Sequence, residues 1–299
     1  MRKVESGSKL PILVIASSTK KVLAQEIIKE AQRLNLRSEL LLLAAESGNP
    51  QSIQQRATKA APSSATIWLI DGADSELLFS AVGRPDLGIK IPTEHLFCDW
   101  LADLGTTIRT QAVDPEQTEA FRVKLAERLR GAKEITIATS AGTQISIRPR
   151  GWNTSPGDTN EVYSAPLEGV AEGQIVVDAS VYWGPPAQPV VLKIKAGRIA
   201  NLAELDKADK QQSLMLKDLT TDDSAAVLAE FGLGINTEAN PLADLMEAEQ
   251  ARGTCHFGFG NNLEYGGANR SKKHVDYVLL RPTIFVDGTC ICRDGVYLL

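Results

Sequence analysis

The first part of the chain alternates between strand-length apolar runs and segments with helical periodicity. In residues 19–34, Leu23, Ile27 and Ala31 recur every four positions, which places them on one face of a helix. A second helix is predicted from Asn49, a cap-like residue followed by proline. The predicted strands are residues 10–16, 38–44 and 65–70, and the predicted helices are residues 19–34, a segment from 49 onward and residues 115–129. This alternation predicts a mostly parallel sheet covered by helices.

The pattern changes near residue 133, where short strands with alternating apolar and polar positions begin to dominate. Residues 134–139 and 144–148 flank a Ser-Ala-Gly-Thr turn and predict a β-hairpin. Further strands are predicted at 173–177, 190–194, 274–280 and 283–286, and a helix at 241–252. We therefore predict two domains: residues 1–132 form an α/β N-terminal domain, and residues 133–299 form a β-rich α+β C-terminal domain.

Composition narrows the class of protein. The chain has 299 residues, 43% of them hydrophobic, which is enough for packed cores in two domains. The net charge is −5 and no basic stripe occurs, so we expect binding neither to nucleic acid nor to a membrane. The four cysteines form neither a CxxC pair nor a disulfide framework, and no apolar stretch of about 18 residues occurs. We expect a cytoplasmic protein in a reducing compartment.

Two of the three histidines lie close together near the C-terminus and are the strongest chemical signal in the chain. His256 lies in Gly-Thr-Cys-His-Phe-Gly-Phe-Gly, and His274 is followed two positions later by Asp276. If residues 274–280 form a strand, alternate side chains share a face, so the His274 imidazole and the Asp276 carboxylate point the same way. Because imidazole and carboxylate are common metal ligands, these three residues predict a metal site.

A third strand-like segment has the same arrangement as the two histidine segments, with a polar side chain on one face and apolar side chains on the other. Glu230 would share a strand face with Gly232, as His256 would with Gly258, while apolar residues face the other way. The glycines leave room beside each polar side chain for an ion, a water or a substrate, and Cys255 would point away from it. Taken singly, each of these residues is more often an ordinary hydrogen-bonded strand residue than a ligand, so the prediction depends on their combination.

Several sequence blocks occur in the order found in a metallopeptidase family. They are Glu161-Val-Tyr-Ser-Ala-Pro166, residues 229–235, residues 253–260 and the Ser-x-x-His-x-Asp block that ends at Asp276. Over roughly residues 130–290, the chain resembles the thermophilic metallo-aminopeptidases, the aminopeptidase T and aminopeptidase S group of peptidase family M29. It lacks the Leu-Pro-x-Gly lead-in usual before the first glutamate, and the segment between the two histidines is shorter. The resemblance therefore implies a divergent, short branch of the family.

The resemblance implies a site with two adjacent metal ions, Zn, Mn or Co. The positions that match the family's ligands are Glu161, Glu230, His256, His274 and Asp276. Tyr265 is the nearest match to a tyrosine that the family places near the metals, and Glu161 or Glu230 would act as general base, so these three are the expected catalytic residues. The family also implies a homodimer and an α/β N-terminal domain that shapes substrate access.

Three functions remain open on these grounds. The favoured one is a metal-dependent hydrolase of the aminopeptidase type, in which a metal-activated water attacks a peptide or amide bond of a small substrate. The second is a mononuclear Fe(II) ring-cleaving dioxygenase of the same superfamily, in which His256, His274 and Asp276 form a two-His, one-carboxylate triad. The third is a family member without catalysis that binds a peptide or a partner protein.

Overall fold

The computed structural model describes residues 12–43, 65–69, 95–98, 106, 109, 110, 112–153 and 160–299. The chain divides into two compact units, residues 1–107 and residues 108–299. The helix predicted from Asn49 lies outside the described residues. Among the residues that are described, no helix has the length and apolar character needed to cross a membrane.

The first unit contains a parallel sheet with a helix packed on it. Its described elements are β1 (Ile12–Ser17), α1 (Lys21–Arg33), β2 (Ser38–Leu43), β3 (Ala65–Leu69) and β4 (His95–Cys98). The strands lie in the order β2-β1-β3-β4, and all three pairings are parallel. Leu23 and Ala31 of α1 share a core with Val14 of the central strand β1. The predicted α/β character of this part is confirmed, whereas β4 was not predicted.

The second unit is built from two antiparallel sheets. The larger contains β5 (Ile135–Ala138), β6 (Gln144–Ile147), β9 (Glu172–Val177), β10 (Val190–Lys195), β11 (Arg198–Ile199), β15 (Thr283–Val286), β16 (Thr289–Arg293) and β17 (Val296–Tyr297). The smaller contains β7 (Pro149–Asn153), β8 (Glu161–Pro166), β12 (Leu228–Gly234), β13 (Thr254–Gly260) and β14 (His274–Leu280). Their strand orders are β11-β10-β9-β6-β5-β15-β16-β17 and β14-β13-β12-β8-β7. The predicted β-rich character is confirmed.

The second unit also contains the α-helices α2 (Pro115–Leu129), α3 (Lys210–Leu219) and α4 (Leu245–Ala248). α2 has the predicted bounds because the Asp114 side chain accepts hydrogen bonds from two N–H groups of the first turn, which opens with proline. Leu125 and Leu129 of α2 lie in the main core of the second unit. The domain boundary at 132/133 stays a prediction.

The helix predicted at 241–252 is wrong in its extent, since only α4 forms. The Asp244 side chain caps the helix by accepting from the Glu247 N–H, so the helix cannot begin earlier without losing this cap. At the other end, Ala251 forms a β-bridge with Asn236, which takes the chain out of the helix. Between these points the chain forms the short helix and then a turn at residues 249–250.

The smaller sheet has one apolar face and one polar face, as strand alternation predicts. Phe231, Phe257 and Tyr277 are completely buried on the apolar face and belong to the main core. Cys255 lies in the same core, so its thiol points away from the predicted metal site. The opposite face is therefore left to the polar residues of β12, β13 and β14.

Candidate metal centre

The predicted metal ligands lie on neighbouring strands of the smaller sheet. Glu161 belongs to β8, Glu230 to β12, His256 to β13, and His274 and Asp276 to β14. Directly opposed residues of antiparallel strands share a face of the sheet. The structure brings all five side chains together on this face, and their role as ligands stays a prediction.

Two glycines stand between these side chains. Gly258 pairs with Glu230 on one neighbouring strand and with Asp276 on the other, and a β-carbon at Gly258 would come within 2.6 Å of Asp276 Oδ1 and 2.8 Å of Glu230 Cβ. Gly232 pairs with His256, and a β-carbon there would overlap the imidazole. The absence of both side chains therefore creates the space in which the polar groups meet.

The five side chains form a cluster whose polar atoms fall into two groups, and the Glu230 carboxylate belongs to both groups. His274 Nε2 lies 3.0 Å from Glu230 Oε2 and 3.2 Å from Asp276 Oδ1. His256 Nε2 lies 3.5 Å from Glu230 Oε1 and 3.4 Å from Glu161 Oε2. Within each group, one ligand atom from every residue lies within 4.8 Å of the others; the groups are Glu161, Glu230 and His256, and Glu230, His274 and Asp276. Neither group contains both histidines.

The loop between β13 and β14 orients His274. The imidazole Nδ1 donates a hydrogen bond to the Asn261 carbonyl oxygen at 2.7 Å, which turns Nε2 toward the carboxylates. The Tyr265 ring lies 4.9 Å from the imidazole, centroid to centroid. Tyr265 therefore borders the cluster, and its catalytic role stays a prediction. The hydrogen bond from His274 to Asn261 could not be predicted, because every residue has a backbone carbonyl and the sequence does not indicate which one is used.

Tyr163 is a residue of the site that was not predicted from the sequence. Its ring packs edge-to-face on Tyr265, with 5.3 Å between centroids. Asn153 of the neighbouring strand β7 donates a side-chain hydrogen bond to the Tyr163 hydroxyl. Tyr163 follows Glu161 by two positions in β8, so strand alternation would have placed it on the same face.

Burial and the neighbouring charged groups both shift the pKa values of Glu161, Glu230 and His256. Burial raises the pKa of Glu161 above its ordinary value, and the Glu230 and Asp276 carboxylates raise it further against the opposing charge of His256. Burial also disfavours ionised Glu230, but hydrogen bonds from both imidazoles lower its pKa. At His256, contacts with these carboxylates outweigh burial and raise its pKa to about 9. Without a cation, a proton on His256 therefore offsets part of the negative charge of the neighbouring carboxylates.

The residues of the cluster fit a divalent cation. The donor set is two imidazoles and three carboxylates, which suits Fe(II), Zn and Mn alike. The side chains of Glu161, Glu230 and His256 are only 10%, 5% and 1% exposed, and buried carboxylates are unfavourable unless positive charge compensates them. The side chains of Asp276, Glu230 and His274 come within 3.0 Å of the position that a β-carbon of residue 258 would take, so the glycine lets them approach one another. The identity and number of the ions stay predictions.

Comparison with known proteins identifies the family. The model of the family described as NicX, 2,5-dihydroxypyridine 5,6-dioxygenase, matches residues 109–298, well over half of the chain. The chain belongs to this family. No curated protein gave a significant match to the sequence.

Solved structures share the fold of the chain. The 2,5-dihydroxypyridine dioxygenase from Pseudomonas putida KT2440 aligns with a TM-score of 0.65 and 16% identity, over 97% of this chain and 92% of its own. AmpT from Thermus thermophilus aligns with a TM-score of 0.60 and 16% identity, over 99% of this chain and 96% of its own. At these identities, the similarity shows the fold alone.

The NicX family match contradicts the aminopeptidase-type hydrolase that the sequence favoured, and the hydrolase prediction is wrong. The match supports the dioxygenase alternative instead. The resemblance to aminopeptidases holds for the fold, which AmpT shares. Imidazole and carboxylate ligands suit the metals of both reactions, so the types of residue at the site could not separate them.

Proposed function

We propose that the protein is an Fe(II)-dependent dioxygenase that opens the ring of a dihydroxylated pyridine or a closely related aromatic diol. The match to the NicX family over residues 109–298 carries this proposal. The fold that the chain shares with the Pseudomonas putida dioxygenase and the imidazole–carboxylate cluster on the smaller sheet both support it.

We infer that His256, His274 and Asp276 hold the iron as a two-His, one-carboxylate set. His274 and Asp276 are adjacent, and His256 meets them across Glu230, whose two oxygens contact the two imidazoles. The chemistry that Fe(II) supplies when bound is electron exchange with dioxygen and with an ionised aromatic diol. Glu230 balances the positive charge of the centre from its place between the imidazoles.

Glu161 is suited to accept a proton from a hydroxyl group of the substrate. Its pKa is raised chiefly by burial, so its carboxylate is a stronger base than that of an exposed glutamate. Arg122 donates a hydrogen bond to the Glu161 backbone carbonyl at 2.7 Å, which ties this end of β8 to α2. Removal of the hydroxyl proton makes the ring electron-rich, as its reaction with dioxygen requires.

Two tyrosines supply surface for a planar ring. Tyr265 and Tyr163 pack against each other beside His274, and this aromatic surface borders the polar cluster. Stacked and edge-to-face contacts between aromatic rings favour a flat aromatic substrate over an extended peptide. The buried ligands behind them limit the access of water to the reacting atoms.

Anaerobic loading with Fe(II), followed by 2,5-dihydroxypyridine and dissolved oxygen, tests the proposal. We expect oxygen uptake that matches the loss of the ring's ultraviolet absorbance. His274→Ala should abolish both, whereas Glu172→Ala, outside the site, should preserve both. 2-Hydroxypyridine lacks the second hydroxyl and should not be consumed. The absence of oxygen uptake by protein shown to contain iron would overturn the proposal.

A further inference from the structure

The loop of residues 261–273, between β13 and β14, touches the candidate metal centre at two points. At its start, the Asn261 carbonyl oxygen accepts the hydrogen bond from His274 Nδ1 at 2.7 Å. In its middle, Tyr265 places its ring 4.9 Å from the same imidazole. The conformation of this loop therefore decides how His274 presents its Nε2 atom to the carboxylates.

Glu168 holds this loop from outside the centre. It lies in the connection between β8 and β9, and its Oε1 atom accepts hydrogen bonds from Asn262 Nδ2 at 2.9 Å and from the Ala268 N–H at 2.8 Å. Its other oxygen is paired with Arg150. One carboxylate thus joins both sides of the loop to a neighbouring connection of the sheet.

The loop is closed around Asn262. This residue is completely buried, and its Oδ1 atom accepts a hydrogen bond from the Asn269 N–H at 2.7 Å. Its backbone carbonyl accepts from the N–H groups of Tyr265 and Gly267 at 3.1 and 2.9 Å. A β-carbon at Gly267 would overlap the Asn262 side chain. The hydrogen bond that Asn262 donates to Glu168 therefore also holds the turn that carries Tyr265.

We propose that Glu168 is a positioning residue for the candidate metal centre. By holding Asn262 and Ala268, it fixes the loop that orients the His274 imidazole and the Tyr265 ring. The inference uses the proposed function only in assuming that the cluster binds a divalent cation. The direct hydrogen-bond partner of a metal ligand commonly sets its orientation and the affinity for the metal. For His274 that partner is the Asn261 carbonyl, and Glu168 acts on it through the adjacent residue Asn262.

Glu172 provides a matched control. It lies at the start of β9, and its Oε1 atom accepts a hydrogen bond from the Ala196 N–H at 2.7 Å. Like Glu168, it is a carboxylate that secures a turn through a backbone N–H group. Its turn lies between β10 and β11 and carries none of the predicted ligands.

Binding of Co(II) to the full-length chain tests the proposal without use of the dioxygenase reaction. Titration calorimetry gives the affinity, the visible absorption of Co(II) reports the ligand geometry, and hydrogen exchange follows the Ala268 amide. Glu168→Ala should weaken Co(II) binding by about tenfold, alter the spectrum and speed exchange at Ala268. Glu172→Ala should match the wild type in all three. Should the alanine variant fail to fold, Glu168→Asp, whose shorter side chain withdraws the carboxylate from the loop, should change all three in the same direction.

Faster exchange at Ala268 with wild-type Co(II) affinity and spectrum would overturn the proposal, because the loop would then be released without effect on the centre. Unchanged exchange would overturn it as well. Failure of the wild type to bind Co(II) would remove both this inference and the metal site. If Glu168→Ala changes Co(II) binding as expected but the iron-loaded wild type takes up no oxygen, the inference stands and only the proposed function is rejected.

Discussion

Gly258 lies opposite Asp276 in the pairing of β13 with β14, and a β-carbon at position 258 would approach the Asp276 Oδ1 atom to 2.6 Å. The same β-carbon would also lie 2.9 Å from His274 Cε1. These approaches are closer than real β-carbons allow, and a third, of 2.8 Å, would be to Glu230 Cβ, which is bonded directly to the backbone. The missing side chain is therefore part of the architecture of the site.

Gly258→Ala should weaken divalent-cation binding by at least about tenfold, since the added methyl group must displace Asp276, Glu230 or His274. Gly151→Ala is the matched control, because a β-carbon at Gly151 would have no heavy atom within 4 Å. Calorimetric titration with Co(II) measures both variants. Equal affinities in the two variants would show that the space beside Gly258 is not needed.

Glu230→Gln should weaken cation binding more than Glu161→Gln does. Glu230 contacts both imidazoles and belongs to both groups of ligand atoms, whereas Glu161 contacts only His256 among the two histidines. Gln preserves the shape of each side chain, removes the charge and replaces one acceptor oxygen with an NH2 donor. The comparison is made by Co(II) titration at one pH, and a larger loss from the Glu161 variant would contradict the shared role of Glu230.

His256 should make the stability of the metal-free protein depend on pH. Burial opposes its protonation, but hydrogen bonding to Glu230 and the nearby carboxylates raise its pKa from 6.5 to about 9. The folded chain thus holds the proton more tightly than the unfolded chain, so the stabilisation is complete below about pH 6.5 and is lost as the pH rises through about 9. Thermal unfolding in the presence of a chelator, measured across this pH range, should show the fall in stability. In His256→Gln the dependence of stability on pH should be weaker. The same pH dependence in the variant would mean that another group causes it.

Tyr163 should support substrate binding through its ring more than through its hydroxyl. Tyr163→Leu removes the edge-to-face partner of Tyr265, and an aromatic pair contributes about 0.5–1.5 kcal/mol. We expect KM for the aromatic substrate to rise about three- to tenfold with little change in kcat. Tyr163→Phe keeps the ring, loses the hydrogen bond from Asn153 and should behave close to the wild type. Equal effects of the two substitutions would instead assign the role to the hydroxyl.

Strand alternation and helical periodicity account for what the sequence could predict. β14 and α2 have the predicted bounds, so the shared face of His274 and Asp276 followed from spacing and the helix at residues 115–129 from its apolar periodicity. The meeting of Glu161 with His256 depends on which strands are neighbours in the sheet, which periodicity does not specify. The hydrogen bond that Asn262 donates to Glu168 joins residues 94 positions apart and has no local signal. The reaction could not be predicted from the sequence, because the same set of imidazole and carboxylate ligands serves both hydrolysis and oxygenation.

Metal binding should stabilise the second unit as a whole, because the predicted ligands come from the four neighbouring strands β8, β12, β13 and β14. A cation held by these strands binds the folded state only, and at a concentration of about 100 times Kd this contributes about 2.7 kcal/mol. For a unit of this size, the unfolding midpoint should rise by about 5–10 °C. Anaerobic thermal unfolding with Fe(II), and again with excess chelator, measures the shift. Gly151→Ala should show the full rise, whereas Gly258→Ala, with binding at least about tenfold weaker, should show about half of it or less. A rise of the same size in both variants would mean that the cation binds elsewhere, since Gly258 lies among the predicted ligands and Gly151 does not.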